Sequence, residues 1–181
     1  MVAGEGREVK AMHRAYIAVG SNLGTREETI RRAALLVAAD RHMQLTRAAS
    51  LIETKPLPGG PHQGDYLNTV WEIDTSYAPE TLLTVLLSIE QKLGRVRTVK
   101  NAPRTIDLDI LFFDELCMTT EQLIIPHPRL HEREFLLRLL NELVPDMQHP
   151  VLGKTLHALW MEKIHEDNNA KKSAATDTTK I

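Results

Sequence analysis

Asp107 and Asp109 flank Leu108 in a run of strand-forming residues from Ile106 to Phe113. Side chains alternate along a strand, so the two carboxylates share a face, and Leu108, Ile110 and Phe112 are expected to point to the core. Two neighbouring carboxylates repel and need a cation between them. Hard oxygen donors so placed suit Mg²⁺, which takes one or two carboxylates and completes its shell with water and substrate phosphates. Taken alone, an Asp-x-Asp pair reads as a solvated strand edge. The segment before it changes that reading. From Gly94 to Arg104 the chain carries Arg95, Arg97, Lys100 and Arg104 and no acidic residue. Guanidinium groups grip phosphate oxygens in pairs. Acids for a metal and arginines for phosphates are the parts of a metal–polyphosphate site, where positioning and charge neutralisation supply most of the catalysis.

Other chemical motifs fall away. Gly153-Lys154-Thr155 resembles the end of a phosphate-binding P-loop, but Gln148 stands where the first glycine belongs and no strong strand precedes it. Gly20 to Gly24 (GSNLG) follows a strand and opens a helix without the Gly-x-Gly-x-x-Gly spacing, so it reads as a tight loop that can line a site. His127 and His131 are four apart, but Pro126 and Pro128 bracket the first and argue against a shared helical zinc face.

The elements that must hold these residues follow from periodicity. Ala15 to Val19 is a short apolar run ended by Gly20, as in a buried strand. Thr25 and Glu28 form a candidate capping box for a helix with Ile30, Ala33, Ala34 and Val37 on one face. Met43 to Thr54 reads as one strand and Tyr66 to Thr75 as another, the latter with Tyr66, Asn68, Val70 and Glu72 sharing a face. Pro79 suits a first helical turn, Leu82, Val85, Leu86, Ile89 and Leu93 follow at helical spacing, and Gly94 ends that helix. The order strand, helix, strand, strand, helix, strand is that of an α+β, ferredoxin-like β-α-β-β-α-β core, with a mostly antiparallel sheet and helices packed on it. A hairpin (Cys117 to Ile125), a helix with Leu136, Leu139, Leu140 and Leu143, and a last helix from Lys154 to Ile164 extend it. Residues 1–13 read as a loose segment, with Met12 as an alternative start; 14–165 as a single domain; and 166–181 as a disordered tail.

Composition narrows the function classes. In 181 residues, 43% are hydrophobic and 25% charged, close to the globular average, which rules out a wholly disordered chain. The net charge of −2 gives no basic field for nucleic acid or anionic lipid. No apolar run is long enough for a membrane span. The single cysteine, Cys117, excludes an intrachain disulfide and a cysteine-rich zinc site, and fits a reducing, cytoplasmic setting.

Several separated segments carry a family resemblance. Ala102-Pro103-Arg104-Thr105-Ile106-Asp107-Leu108-Asp109-Ile110-Leu111 resembles the signature of the 6-hydroxymethyl-7,8-dihydropterin pyrophosphokinases of folate biosynthesis. Tyr16 to Gly24 resembles their first strand and loop, Asp65-Tyr66-Leu67-Asn68 their third strand, and Gly94-Arg95-Val96-Arg97 their catalytic loop. Pro126-His127-Pro128-Arg129 and Arg133-Glu134-Phe135 are similar to later elements. The match runs in order from about Ala15 to Trp160.

The resemblance implies transfer of pyrophosphate from Mg-ATP to the pterin hydroxymethyl oxygen, leaving AMP. It implies that Asp107 and Asp109 ligate two Mg²⁺ ions, that Arg97 and Arg104 contact ATP phosphates, and that Arg95 lies in a loop closing over the site. Glu90, Ile110, His127 and Arg133 are implied to help hold the nucleotide. Thr54, Pro56 and Leu57 are implied to line the pterin pocket, Asn68 to read the pterin edge, and Tyr66 and Phe135 to supply ring contacts. An Asn side chain offers donors and an acceptor, which suits that edge. Asn101 and Ala102 stand where the family often has a stacking aromatic. The substrates expected are ATP and the dihydropterin, with no nucleic acid or membrane partner, and the chain is read as a monomer. The competing reading is a non-catalytic, ferredoxin-like module that senses a pterin or nucleotide; the intact acidic pair and arginines argue for the enzyme. An RNA-binding sheet would want more exposed aromatics than two Trp, three Tyr and three Phe can supply.

Overall fold

Strand β1 (His13–Ser21) is the centre of the molecule, paired antiparallel on one side with β4 (Tyr66–Thr75) and on the other with β5 (Asp107–Phe113). The computed structural model describes residues 12–56, 63–95 and 103–177, and side chains through residue 170. The expectations for Leu57, Arg97, Asn101, Ala102 and residues 1–11 fall outside the described residues. Strands β2 (Met43–Ala48) and β3 (Ile52–Thr54) both pair with β4, so the main sheet runs β2-β4-β1-β5 with β3 continuing the β2 side. With α1 (Arg26–Ala38) and α2 (Pro79–Lys92) between the strands, this is the ferredoxin-like order. A hairpin of β6 (Met118–Thr119) and β7 (Ile124–Ile125) follows, then α3 (Glu134–Leu143) and α4 (Leu156–Asp177).

Both sheet faces are covered. Ile30, Ala33 and Val37 of α1 and Leu82, Leu86 and Ile89 of α2 pack with Ile17, Val19, Ile73 and Leu108 on one face. Leu136, Leu137 and Leu140 of α3 and Leu156 and Leu159 of α4 pack with Tyr16, Val70, Leu111 and Phe112 on the other.

Four expectations are corrected. The stretch 43–54 is two strands, because α3 intervenes: Glu142 accepts bonds from the Ser50 amide (2.8 Å) and hydroxyl (2.7 Å), drawing the chain off the ladder. Thr25 is the N-cap of α1 but makes no side-chain capping bond; Glu28 instead pairs with Arg31 at 2.6 Å. Strand β5 is irregular: Tyr16 faces Phe112 while the next residue, Ile17, faces Ile110, so Leu111 is a bulge. The bulge reverses the alternation and sends Phe112 into the α3–α4 layer, away from Leu108 and Ile110. Finally, 166–177 is helical, not a disordered tail. Ala170, Lys171, Lys172, Ala174 and Ala175 are good helix formers, and Lys163 pairs along the helix with Asp167 at 3.0 Å and Glu166 at 3.5 Å.

Candidate active site

Three aligned strand positions build the site floor. In the antiparallel ladders Gly20 stands opposite both Asn68 and Asp107, and Ala18 stands opposite both Val70 and Asp109. Directly opposed residues point to the same face, so an amide and two carboxylates project together from the end of the sheet. Gly20 makes this row possible: a Cβ there would stand 2.8 Å from Asn68 Oδ1 and 3.7 Å from the Tyr66 ring.

The way α2 ends sets Arg95. Gly94, at a φ of 84°, lets the Arg95 amide donate to Glu90 O at 3.0 Å and its own amide to Gln91 O at 3.0 Å, a Schellman closure. This folds Arg95 back on Glu90, and the two side chains pair. The same guanidinium reaches Asp107 Oδ1 at 2.7 Å, and Arg104 pairs with Asp107 Oδ2. Asp107 thus binds two guanidiniums.

Burial sets the proton affinities. Glu90 is 2% exposed and accepts the Leu108 amide at 2.7 Å; burial outweighs that bond and the Arg95 charge, and pushes its carboxyl up to about 7. Burial, then the neighbouring Asp107 charge, pushes Asp109 up to about 6 against the pull of Arg133, Arg104 and Arg95. His127 is held down at about 4 by burial and by Arg133, so its ring is neutral at pH 7. Arg133 acts electrostatically on both Asp109 and His127, and its buried Nε has no hydrogen-bond partner among the described residues.

On the other side of the row, Asn68 is 7% exposed and donates to Thr54 Oγ1 at 2.8 Å. Tyr66, half-buried, donates to Gln63 Oε1 at 3.3 Å. Thr54 pairs with Tyr66 across the β3–β4 ladder, and Pro56 is also half-buried just beyond. Phe135 packs partly buried against the α3–α4 layer. The structure therefore brings together Arg95, Arg104, Asp107, Asp109 and Arg133 on one side and Thr54, Tyr66 and Asn68 on the other. Ile110 lies on the opposite face of β5, in the core with α1 and α2, and the Glu90 carboxylate is engaged by Arg95 and Leu108.

Sequence reasoning singled out the GSNLG loop but not its most connected residue. Asn22 is 6% exposed, and it exchanges bonds with Arg104: the Asn22 amide donates to Arg104 O at 3.1 Å and the Arg104 amide to Asn22 Oδ1 at 2.7 Å. Ser21 adds a 2.6 Å bond to Thr105 O. The only local signal was an Asn between a strand and a helix, a position common to many loops.

The donor set fits magnesium. Among the described residues no group of three or more His, Cys, Asp or Glu can hold a metal ion, so these residues form no all-protein cage. Two carboxylates on one face ringed by arginines match an ion that relies on phosphates and water for its other ligands. A cavity of about 340 Å³ opens next to His127, between the β6–β7 hairpin and residues 149–152, with Met118, Ile125, Pro128 and Val151 in its wall. Gly153-Lys154-Thr155 forms the turn before α4, where Lys154 pairs with Glu162 and Thr155 Oγ1 accepts the Ala158 amide. No helix of the described residues is long and apolar enough to cross a membrane.

Comparison with known proteins gives one consistent family. The model of the 7,8-dihydro-6-hydroxymethylpterin-pyrophosphokinase family matches residues 16–145. The chain is 45% identical over 134 residues to 2-amino-4-hydroxy-6-hydroxymethyldihydropteridine pyrophosphokinase of Bacillus subtilis, covering 74% of this chain and 80% of that one. It is 40% identical over 136 residues to the enzyme of the same name from Haemophilus influenzae, covering 75% and 84%. Among solved structures, Plasmodium falciparum HPPK-DHPS with pterin and p-hydroxybenzoate superposes with a TM-score of 0.71 at 16% identity, over 90% of this chain and 45% of that longer one.

Proposed function

Since the chain belongs to the 7,8-dihydro-6-hydroxymethylpterin-pyrophosphokinase family, we propose that the row Asn68–Gly20–Asp107 is the floor on which its two substrates meet. The enzyme transfers pyrophosphate from Mg-ATP to the hydroxymethyl group of 6-hydroxymethyl-7,8-dihydropterin, giving the pterin diphosphate and AMP, a step of folate biosynthesis. The hydroxymethyl oxygen bonds to the β-phosphorus, the bond from that phosphorus to the bridging α,β-oxygen breaks, AMP leaves with that oxygen, and the hydroxyl proton passes to water.

In this reading Asp107 and Asp109 hold two Mg²⁺ ions, which when bound with ATP supply positive charge along the triphosphate. Arg95 and Arg104, already beside Asp107, contribute guanidinium charge to the phosphates as charge shifts toward AMP. Arg97 joins them by family resemblance. Glu90 sets the direction of Arg95, and His127, neutral, and Arg133 border the nucleotide, with Ile110 beneath it. Asn68 hydrogen-bonds the pterin edge, Tyr66 and Phe135 contact its ring, and Thr54, Pro56 and Leu57 wall the pocket. A bound cation would offset both causes of the raised Asp109 proton affinity, burial and the Asp107 charge, and so favour its carboxylate form.

The observation that carries the reading is the shared face of an amide and two carboxylates, with two guanidiniums on Asp107. We read the enzyme as a monomer acting through a catalytic unit of 14–165. The exposed thiol of Cys117 supports a reducing, cytoplasmic setting. Chromatography of the quenched reaction tests the transfer: pterin-dependent AMP and pterin diphosphate are expected, and pterin-dependent ADP without AMP overturns it.

A further inference from the structure

We propose that Asn22 is a positioning residue that couples the two substrate pockets through one carboxamide. Its Oδ1 accepts the Arg104 amide at 2.7 Å, and its Nδ2 donates to Gln63 Oε1 at 2.7 Å and approaches Gly64 O at 3.4 Å. Gln63 Oε1 also accepts the Tyr66 hydroxyl at 3.3 Å. A continuous path therefore runs from the backbone of Arg104, through Asn22 and Gln63, to the phenol of Tyr66. The inference rests on the reading above, in which Arg104 meets the phosphates and Tyr66 the pterin ring.

The chemistry requires an amide at position 22. One end must accept from a backbone N–H while the other donates to two oxygens, and among side chains of this size only Asn offers both. At 6% exposure, water cannot easily replace a lost partner, so losing the bond on either side leaves a buried polar group unpaired and disturbs the join between the two pockets. Segments 104–105 and 63–64 lie far apart in sequence, and the Asn22 carboxamide hydrogen-bonds both. Nucleotide binding that fixes Arg104 therefore fixes Asn22, and so orders Gln63 and Tyr66 before the pterin arrives; by linkage the pterin favours the nucleotide equally.

The test is the ratio of pterin dissociation constants measured by calorimetry without and with a non-hydrolysable ATP analogue and Mg²⁺. In the wild type this ratio exceeds one. Asn22→Ala removes both halves of the path. Asn22→Asp keeps the acceptor for Arg104 but cannot donate to Gln63, so it serves even if the alanine variant folds poorly. Both should lower the ratio about five-fold or more, with the aspartate variant holding the nucleotide nearly as well as wild type. A merely structural role would lower the melting temperature and leave the ratio alone. Arg104→Ala and Tyr66→Ala separate the two claims. If they weaken nucleotide and pterin binding respectively while both Asn22 variants keep the wild-type ratio, the coupling is overturned and the site reading stands. If they leave those affinities unchanged, the site reading fails and the coupling with it.

Discussion

Gly20 and Asn68 face each other across the β1–β4 ladder so closely that a methyl group on Gly20 would stand 2.8 Å from Asn68 Oδ1. The Asn68 side chain is short and tethered to Thr54 at 2.8 Å, so it cannot move aside without breaking that bond. Gly20→Ala should turn Asn68 away from the pterin and weaken pterin binding about ten-fold, the worth of one good hydrogen bond, with nucleotide affinity little changed. Pterin affinity equal to wild type by calorimetry would refute the role given to Asn68.

Asp107→Asn and Asp109→Asn should each lower turnover about a hundred-fold or more, yet differ in stability. Asp107 is balanced by two arginines, so its amide variant should melt slightly lower. Asp109 has its proton affinity raised to about 6, so the folded state binds more protons than the unfolded one between pH 3.8 and 6. Its contribution is fully present below that window and is lost as pH rises through it. Asp109→Asn should therefore melt a few degrees above wild type at pH 8, with the gap closing near pH 4. A lower melting temperature at pH 8 would contradict the electrostatics assigned to the pair.

Glu90 gives a second pH signature. Its carboxyl is raised from 4.5 to about 7 by burial, so its contribution is present below 4.5 and is lost as pH rises toward 7. Relative to wild type, Glu90→Gln should gain stability between pH 5 and 8, while turnover falls because Arg95 loses one of its two anchors. Melting curves that keep a constant offset across this range would show that Glu90 is ionised throughout.

Away from the site, Glu72 is 3% exposed and bonded by Arg47, by Thr46 at 2.9 Å and by Tyr16 at 3.1 Å; Arg47 also donates to Leu143 O at 2.8 Å. Burial raises the Glu72 carboxyl, but these donors outweigh it and hold it below its ordinary value, so its contribution is present above the unfolded pKa and fades as pH falls. Arg47→Ala leaves that carboxylate without its bonded guanidinium and should cost about 2 kcal/mol at pH 7, less than for a fully buried pair because the Arg47 side chain is half exposed. Urea denaturation would read this; a loss under 1 kcal/mol would mean that Arg14, 3.8 Å from Glu72, takes its place.

Local chemistry foretold the parts of this fold that local chemistry determines. The alternation of β4, the spacing of α2 with its Gly94 stop, and the shared face of Asp107 and Asp109 all follow from residue types and period. What escaped was set by partners distant in sequence. Glu142 of α3 breaks the strand at Ser50, and the pairing of β5 with β1 throws the bulge at Leu111 that redirects Phe112. Asn22 looked like any loop asparagine, because its partners Arg104 and Gln63 stand 82 and 41 positions away. At Glu28 an arginine three residues on competed for the carboxylate and won it from the cap.

The strand order also governs when this protein can begin to work as the ribosome releases it. The neighbour of β1 on one side is β5, which is made only after α2, so a nascent chain ending at α2 shows an open row of backbone donors and acceptors along its central strand. Such a fragment has Gly20 and Asn68 but neither carboxylate, and its bare strand invites pairing with another chain. Emergence of 103–113 closes the edge and delivers Arg104, Asp107 and Asp109 in the same event. Half-made copies of this enzyme thus lack the acidic pair during the interval when they are most prone to aggregate.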